Sequence, residues 1–323
     1  MDALSDVLRT LRLTGGVFLD ARFSAPWSLA TNVNPEKFKL FLGSSTQIIA
    51  FHYIVSGRLM AHVPGGAPRE LTSGSLVLLP RNDLHVLGSE HGLKAVAAND
   101  IVMTESGLWE LRHGGNGAVT HIVCGFLGCD SSFDPLISAL PPLLSINVAD
   151  TKGGAWIEES FAFAVQNLAS DGVGAAAIVA KLSELMFVEA LRRYMLELPA
   201  QECGWFAGLR DPAIGRALAL MHAQPQKDWS AEELADAVNL SRSTFAERFS
   251  TLIGYPPIRY LIAWRMQVAA RMLRETNRSI AQIAFDVGYD SEAAFNRAFR
   301  REFGRPPSAW RRETAAGQSE TSQ

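Results

Sequence analysis

Two stretches of the chain share one pattern and decide the fold: Leu234-Ala-Asp-Ala-Val-Asn-Leu-Ser-Arg-Ser-Thr-Phe245 and Ile283-Ala-Phe-Asp-Val-Gly-Tyr-Asp-Ser-Glu-Ala-Ala-Phe295. Each stretch continues to a second phenylalanine, a glycine and a Pro-Pro pair, and these residues lie 50 positions apart in the two copies. Val238 and Val287 lie 49 positions apart, so the two turns differ by one residue. A repeat of this length with matched glycines and prolines indicates two copies of one structural unit.

Each copy predicts a helix, a tight turn and a second helix. The first helices begin with capping boxes at Ser230-Ala-Glu-Glu233 and Ser279-Ile-Ala-Gln282, in which the outer residues cap each other. Gly288 supplies the second turn. We expect Ser241 to cap the second helix of the first copy, and Asp290 or Ser291 that of the second copy. Two phenylalanines, four residues apart, predict the buried face of each second helix: Phe245 and Phe249, then Phe295 and Phe299.

Two such units joined by one helix follow the helix-turn-helix plan, in which the second helix lies in the major groove of DNA. Residues 242–312 contain 13 arginines, no lysine and six acidic residues, a local charge of +7 (13 − 6), in a chain of net charge −3. Clustered arginine is a common sign of phosphate binding, although solvated helix faces have the same composition. Motif and charge together predict that this region binds DNA.

Residues 211–312 resemble the DNA-binding domain of the AraC/XylS family of transcription regulators. The resemblance rests on the joining helix, which begins Pro256-Pro-Ile-Arg-Tyr-Leu261, and on the segment that begins Ile280-Ala-Gln-Ile-Ala-Phe-Asp-Val-Gly-Tyr289 and ends at Pro307. It implies that the two second helices enter adjacent major grooves about one helical turn (~34 Å) apart. One chain would then cover two short subsites.

The outward faces of the two second helices are the predicted base-contacting surface. Arginine can pair with guanine, asparagine with adenine and glutamate with cytosine, and alanine can contact a thymine methyl group. Solvent exposure alone is the alternative for each side chain, above all for the glutamates, which phosphates repel. The predicted base contacts are Arg242, Ser243, Ala246, Glu247, Glu292, Ala293, Asn296 and Arg297. The predicted phosphate contacts are Ser241, Arg259, Ser279, Ser291, Arg300 and Arg301.

The whole chain has the composition of a globular protein, with 48% hydrophobic and 20% charged residues among 323. No apolar run reaches the ~18 residues of a membrane-spanning helix. The N-terminus has neither the basic nor the apolar segment of a secretory signal. The three cysteines, Cys124, Cys129 and Cys203, do not form a disulfide framework. We therefore expect a cytoplasmic protein of about two domains that does not contact membranes.

The N-terminal half has a different pattern. Between about residues 17 and 125, short apolar runs alternate with turn residues, which predicts an antiparallel sandwich or barrel. Gly74-Ser-Leu-Val-Leu-Leu-Pro80, followed by His85, resembles the second motif of cupin barrels, and 51–57 lies where the first motif falls. The resemblance implies an α+β chain of two domains. These are an N-terminal, cupin-like antiparallel β-barrel with a helical arm, and a C-terminal all-α domain with tandem helix-turn-helix units.

The predicted limits follow from these changes of pattern. Residues 1–200 form the sensing and dimerisation domain, with the barrel at about 15–150 and the helical arm at about 151–198. A linker follows at 199–210, the DNA-binding domain at 211–312 and a flexible tail at 313–323. Helices are predicted at 2–13, 155–168 and 174–198. The last has an apolar stripe that packs either on its own domain or on a second copy, made of Ile178, Leu182, Leu185, Val188 and Met195.

A small barrel can hold one ligand in an apolar pocket with a few polar groups. We predict an effector pocket of this kind, lined in part by His52 and His85. Imidazoles also bind metals, so the alternative function is a metal-dependent cupin enzyme fused to a helical domain. The first motif lacks the His-x-His pair and the glutamate that ligate metal in cupin enzymes. We therefore expect no metal, no cofactor and no enzymatic activity.

The sequence thus predicts a sequence-specific DNA-binding transcription regulator. A small-molecule effector in the barrel would control it by shifting the populations of its conformations. The expected partners are double-stranded operator DNA, the unidentified effector, RNA polymerase and a second copy in a homodimer. A third class, a DNA-coating scaffold without a sensor, is disfavoured by the negative net charge of the chain.

Overall fold

The short apolar runs of the N-terminal half form β-strands, as the sequence predicts. The computed structural model describes residues 3–10, 13–34, 47–97, 102–103, 109–129, 135–148, 156, 159–160, 163, 175–199 and 204–312. Within these residues the strands are β1 (Leu13–Ser24), β2 (Ser28–Thr31), β3 (Gln47–Ser56), β4 (Arg58–His62), β5 (Arg69–Thr72), β6 (Ser75–Leu79), β7 (His85–Gly88), β8 (Val96–Ala97), β9 (Val102–Met103), β10 (Trp109–Gly114), β11 (Val119–Cys129) and β12 (Leu144–Asn147).

The described strands form two sheets. One has seven strands in the order β12-β6-β3-β11-β1-β10-β9, and the other has five in the order β5-β4-β7-β2-β8. Most neighbours are antiparallel, as expected, but β1 pairs with β10 and β2 with β8 in parallel. No hairpin connects the members of these parallel pairs, so the turn signals in the sequence carry no information about their direction.

The core of this part of the protein lies between the two sheets. It contains a cluster of buried apolar side chains to which both sheets contribute, as expected for the antiparallel sandwich or barrel that the sequence predicts. Its members include Leu29, Leu59, Ala61 and Leu87 of the five-stranded sheet and Ala50, Ile54, Val77 and Ile122 of the seven-stranded sheet.

Helices make up the rest of the described chain. They are α1 (Ala3–Thr10), α2 (Pro135–Ser138), α3 (Ala175–Glu197), α4 (Trp205–Arg210), α5 (Pro212–Ala223), α6 (Ala231–Ala237), α7 (Arg242–Ile253), α8 (Pro257–Glu275), α9 (Ile280–Asp286) and α10 (Glu292–Phe303). Most of the helix predicted at 155–168 lies outside the described residues, as do Cys203 and the tail. No described helix combines the length and the apolar composition that a membrane crossing requires.

Helix α3 confirms the helix predicted at 174–198. Of the predicted apolar stripe, Leu182, Val188 and Met195 are half-buried, and packing of the stripe on a second copy stays a prediction. Ile178 and Leu185 are exposed. The helix carries apolar residues around most of its circumference, so periodicity does not select one face for packing. The buried positions are Ser183, Met186, Phe187, Ala190 and Leu191.

The chain divides into two compact units. One comprises Leu13–Cys129 and Leu140–Tyr194, and the other comprises Met1–Arg12, Asp130–Ala139 and Met195–Gln323. The helical unit therefore includes α1 and α2, which come from the N-terminal half of the sequence. Helix α1 contacts α5 and α8. The domain and linker limits given above stay predictions.

Candidate nucleic-acid interface

The first helix-turn-helix unit is built from α6 and α7. Ser230 Oγ accepts a hydrogen bond from the Glu233 backbone N–H at 3.0 Å, and the Glu233 carboxylate accepts one from the Ser230 N–H at 2.9 Å. Asn239 turns the chain with a φ of 58°. Ser241 Oγ then accepts from the Thr244 N–H at 3.2 Å. The predicted capping box and the predicted cap at Ser241 are both confirmed.

The second unit repeats this construction with α9 and α10. Ser279 Oγ accepts from the Gln282 N–H at 3.2 Å, and the Gln282 side-chain oxygen accepts from the Ser279 N–H at 2.9 Å. Gly288 turns the chain with a φ of 83°. Of the two candidate caps of α10, Ser291 is the observed one, since its Oγ accepts from the Ala294 N–H at 3.2 Å.

Four phenylalanines determine which faces of α7 and α10 remain available. Phe245 and Phe249 in α7, and Phe295 and Phe299 in α10, are each 0% exposed. The two ring centroids of each pair lie 5.6 Å apart. Burying a phenylalanine contributes about 1.5–3 kcal/mol, so turning either helix over would lose two such contributions. The opposite faces of both helices are therefore held toward solvent.

The predicted base contacts lie on these outward faces. Ala246 and Asn296 are half-buried, and the other members of the set are exposed: Arg242, Ser243, Glu247, Glu292, Ala293 and Arg297. Each helix thus presents four of the eight side chains together. Their contacts with bases stay predictions.

The six predicted phosphate contacts are also exposed. Three of them, Ser241, Ser279 and Ser291, cap helices through their hydroxyl oxygens. A hydroxyl that accepts a capping bond still has a proton to donate, so capping is compatible with a phosphate contact. The guanidinium carbon of Arg259 lies 5.2 Å from the centroid of the Tyr255 ring. Arg300 and Arg301 lie in the last turn of α10.

One residue of this region was missed by sequence reasoning. Arg265, in the middle of α8, is only 8% exposed and donates to three backbone carbonyls. The signal was present, because Arg265 lies four residues from both Leu261 and Ala269 and therefore on their buried face. The arginine count of residues 242–312 does not distinguish a buried arginine from solvent-facing ones.

In the β-domain, strand pairing places the two predicted pocket histidines beside a cysteine. Cys124 of β11 is paired with His52 of β3, and His85 begins β7 in the other sheet. His52 Nδ1 lies 2.9 Å from Cys124 Sγ, and His52 Nε2 lies 2.7 Å from His85 Nε2. His85 Nδ1 lies 2.9 Å from the carbonyl oxygen of Asp83. Four groups thus form one hydrogen-bonded chain, the Cys124–Asp83 chain.

With neutral imidazoles, only one arrangement of protons satisfies the Cys124–Asp83 chain. The Asp83 carbonyl can only accept, so His85 Nδ1 carries a proton and His85 Nε2 accepts. His52 Nε2 then donates, and His52 Nδ1 accepts from the thiol of Cys124. Burial lowers the pKa of both histidines, the nearby His85 lowers the pKa of His52 further, and burial raises the pKa of the thiol. All four ring nitrogens are therefore used within the protein, and a ligand that binds these rings has to displace one of the bonds.

Within the described residues, no group of three or more His, Cys, Asp or Glu side chains is placed to hold a metal ion. His52, His85 and Cys124 are bonded to one another in series, with His52 using opposite ring nitrogens toward its two neighbours. A single ion cannot reach both Cys124 Sγ and His52 Nε2 in this arrangement.

Comparison with known proteins places these two parts in one family. A family described as Cupin matches residues 2–196, and one described as Helix-turn-helix domain matches residues 234–313. An AraC-like transcription regulator of Streptomyces lividans is 31% identical over 314 residues, which cover 97% of this chain and 98% of that protein. The protein belongs to the AraC family of transcription regulators. A second member, the HTH-type transcriptional regulator AlkR of Acinetobacter baylyi, is 28% identical over 324 residues, which cover 97% of this chain and 100% of AlkR.

Membership of the AraC family confirms the resemblance drawn from the sequence. It assigns DNA binding to the helix-turn-helix domain and transcription regulation to the protein. These relatives are named as regulators rather than enzymes.

Proposed function

We propose that this AraC-family regulator binds two adjacent subsites on one DNA duplex and responds to a small-molecule effector. The observation that carries the first part is the pair of phenylalanine-anchored helices, α7 and α10. Their outward-facing residues occupy corresponding positions, 50 apart in the chain, and the two helices are joined by a single helix of 19 residues, α8. Because one continuous helix limits the separation of the two units, α7 and α10 can enter successive major grooves of the same duplex.

Within this proposal, the outward side chains divide by chemistry. Arg242, the first residue of α7, and Arg297, in the middle of α10, are both exposed. An arginine can form two hydrogen bonds to O6 and N7 of guanine. Asn296 is suited to adenine. The serine caps and Arg259, Arg300 and Arg301 supply phosphate contacts, which set the orientation of the protein without specifying sequence.

Effector control is proposed for the β-domain. Its core is enclosed by two sheets, as in small ligand-binding barrels. The Cys124–Asp83 chain contains two buried imidazoles of this domain, and His52 and His85 are the proposed effector-contacting residues. An effector that replaces a bond of this chain would bind one conformation more tightly than another, which is the condition for a population shift.

Two further partners are proposed. Helix α3 exposes Ile178, Leu185 and Leu196, and an exposed apolar face of this kind supports a homodimer. RNA polymerase is proposed because a regulator bound at a promoter acts through it.

Selection of bound duplexes from a random DNA library by the full chain, with and without metabolite mixtures, tests the proposal. We expect two short enriched blocks about one helical turn (~34 Å) apart, and an enrichment that changes when an effector is present. Arg297→Ala should lose one enriched position. Arg216→Ala, an exposed arginine of α5, is the matched control and should lose none.

Two outcomes would contradict the proposal. Failure to enrich any sequence at low ionic strength would refute the two-subsite part. Enrichment that is the same with every metabolite would refute only the effector part.

A further inference from the structure

The buried arginine of α8 joins two parts of the helical unit that are distant in sequence. Arg265 Nε donates to the Pro225 carbonyl at 2.7 Å, and Nη2 donates to the Lys227 carbonyl at 2.9 Å. Nη1 donates to the Gly288 carbonyl at 3.3 Å. The first two acceptors belong to the loop that leads into the first helix-turn-helix unit. The third is the turn of the second unit.

The geometry of the guanidinium group suits this position. Its N–H groups point along fixed directions in one plane. Nε and Nη2 form one edge and bond the loop before α6, whereas Nη1 points from another side to the turn between α9 and α10. The hydrogen-bond partners of Arg265 in the described part of the chain are backbone carbonyls, and the nearby carboxylates of Asp228 and Asp290 also favour its charged form. A buried cation needs such acceptors and charges to offset its lost hydration. The bonds therefore constrain main chain on both sides.

Gly288 shows how closely the two main-chain segments approach. A Cβ added at this glycine would lie 2.7 Å from the Gln226 carbonyl oxygen and 3.0 Å from Cζ and Nη2 of Arg265. Real Cβ atoms do not tolerate a contact of 2.7 Å with backbone. The turn of the second unit thus packs directly on the loop before the first unit, and the guanidinium of Arg265 lies beside this contact.

We propose that Arg265 is a positioning residue that sets the distance and angle between the two DNA-contacting helices, α7 and α10. It touches no base or phosphate in this role. It acts by holding the turn before α10 against the loop before α6. The inference rests on the proposed binding of two subsites by these helices, and it goes beyond that proposal by naming the residue that determines their spacing.

The test compares Arg265→Lys and Arg265→Met with Arg271→Met in the full chain. Arg271 lies on the same helix and is half-buried, and its ion pair with Glu275 at 3.9 Å is its one partner among the described residues, so it is the matched control. Lysine keeps the charge but presents its donors from a single point, and it tests the fork even if the methionine variant does not fold. Thermal unfolding followed by circular dichroism shows which variants are folded.

Affinity is measured for the duplex that the wild-type protein selects, for versions with either subsite scrambled, and for versions with one base pair added or removed between the subsites. Two linked DNA-contacting helices increase the affinity for a duplex only when both can bind their subsites at the same time. We therefore expect Arg265→Lys to weaken binding to the two-subsite duplex by about tenfold or more, and binding to a single subsite by less than about threefold. The preference for the natural spacing should become weaker, and Arg271→Met should change neither.

An equal loss on two-subsite and single-subsite duplexes, or an unchanged spacing preference in a folded Arg265→Lys protein, would overturn the positioning role. If scrambling either subsite leaves wild-type affinity unchanged, the two-subsite proposal itself fails, and the positioning role fails with it. The affinity of the wild-type protein for the scrambled duplexes therefore distinguishes failure of the two-subsite proposal from failure of the positioning role alone.

Discussion

Acidification is expected to destabilise the helical unit through the buried histidine His222. This side chain of α5 is 6% exposed, and its ring stacks on that of Trp264 with the centroids 3.9 Å apart. Its Nε2 lies 3.0 Å from the hydroxyl oxygen of Tyr260. Burial lowers the pKa of His222 to about 3. The folded protein therefore keeps this ring neutral far below neutral pH.

The magnitude follows from the difference between the folded and the unfolded chain. In the unfolded chain a histidine has a pKa of about 6.5. Between about pH 6.5 and about pH 3 the unfolded state binds a proton that the folded state does not, so the free energy of unfolding falls as the pH falls. Each pH unit well inside this window costs about 1.36 kcal/mol, and the slope is about half of that at pH 6.5, where the unfolded histidine is half protonated. From about pH 6.5 to about pH 5 the loss from His222 is therefore about 1.7 kcal/mol.

Urea unfolding of the full chain at a series of pH values measures this loss, with His222→Gln as the comparison protein. Glutamine keeps a polar group near Tyr260 but does not titrate. His52 and His85, whose pKa values burial also lowers, contribute to both proteins and cancel in the difference. We expect the wild type to lose about 1.7 kcal/mol more than the variant between pH 6.5 and pH 5. Equal pH slopes for the two proteins would refute a lowered pKa at His222.

Three other predictions concern the interface, a helix cap and the dimer. Arg297→Ala should cost about 1–3 kcal/mol on the selected duplex by fluorescence anisotropy and relax one base position; the same loss on random DNA would make Arg297 a phosphate contact instead. Ser279→Ala removes the capping box of α9 and should lower the free energy of unfolding by about 1 kcal/mol, and an unchanged urea midpoint would show that this cap does not stabilise the unit. Leu185→Glu places a charge on the exposed apolar face of α3 and should shift the protein toward monomer in sedimentation velocity; an unchanged sedimentation coefficient would exclude this face from any dimer.

The features that could be predicted from the sequence are those with a local physical cause. The capping box of Ser230 and Glu233 depends on a spacing of three residues within one helical turn. The buried faces of α7 and α10 depend on phenylalanines four residues apart. Because both signals recur in the second copy, they predicted the outward faces as well, and the observed exposures agree.

Contacts between distant segments could not be predicted in this way. His52 meets His85 across 33 residues and Cys124 across 72 residues. Their meeting depends on strand register, which short apolar runs do not specify by themselves. The amphipathic pattern of α1 likewise indicates that one face is buried, but it does not indicate that the partners are α5 and α8. The burial of Arg265 is partly predictable. Helical periodicity places it on the buried face of α8, but it does not identify the carbonyls that accept its hydrogen bonds.

The two copies of the repeat differ at the residue that turns the chain, and the difference has a physical cause. Asn239 adopts a φ of 58° although it has a Cβ, so a left-handed conformation does not by itself require glycine, and asparagine is among the residues that tolerate it best. At position 288 the requirement comes from packing, because a Cβ there would meet the Gln226 carbonyl oxygen at 2.7 Å. Glycine is therefore needed in the second copy because the turn there contacts the loop before the first copy. The difference between Asn239 and Gly288, in two otherwise matched segments, is thus explained by the contact between the second turn and the loop before α6, which Arg265 also bonds.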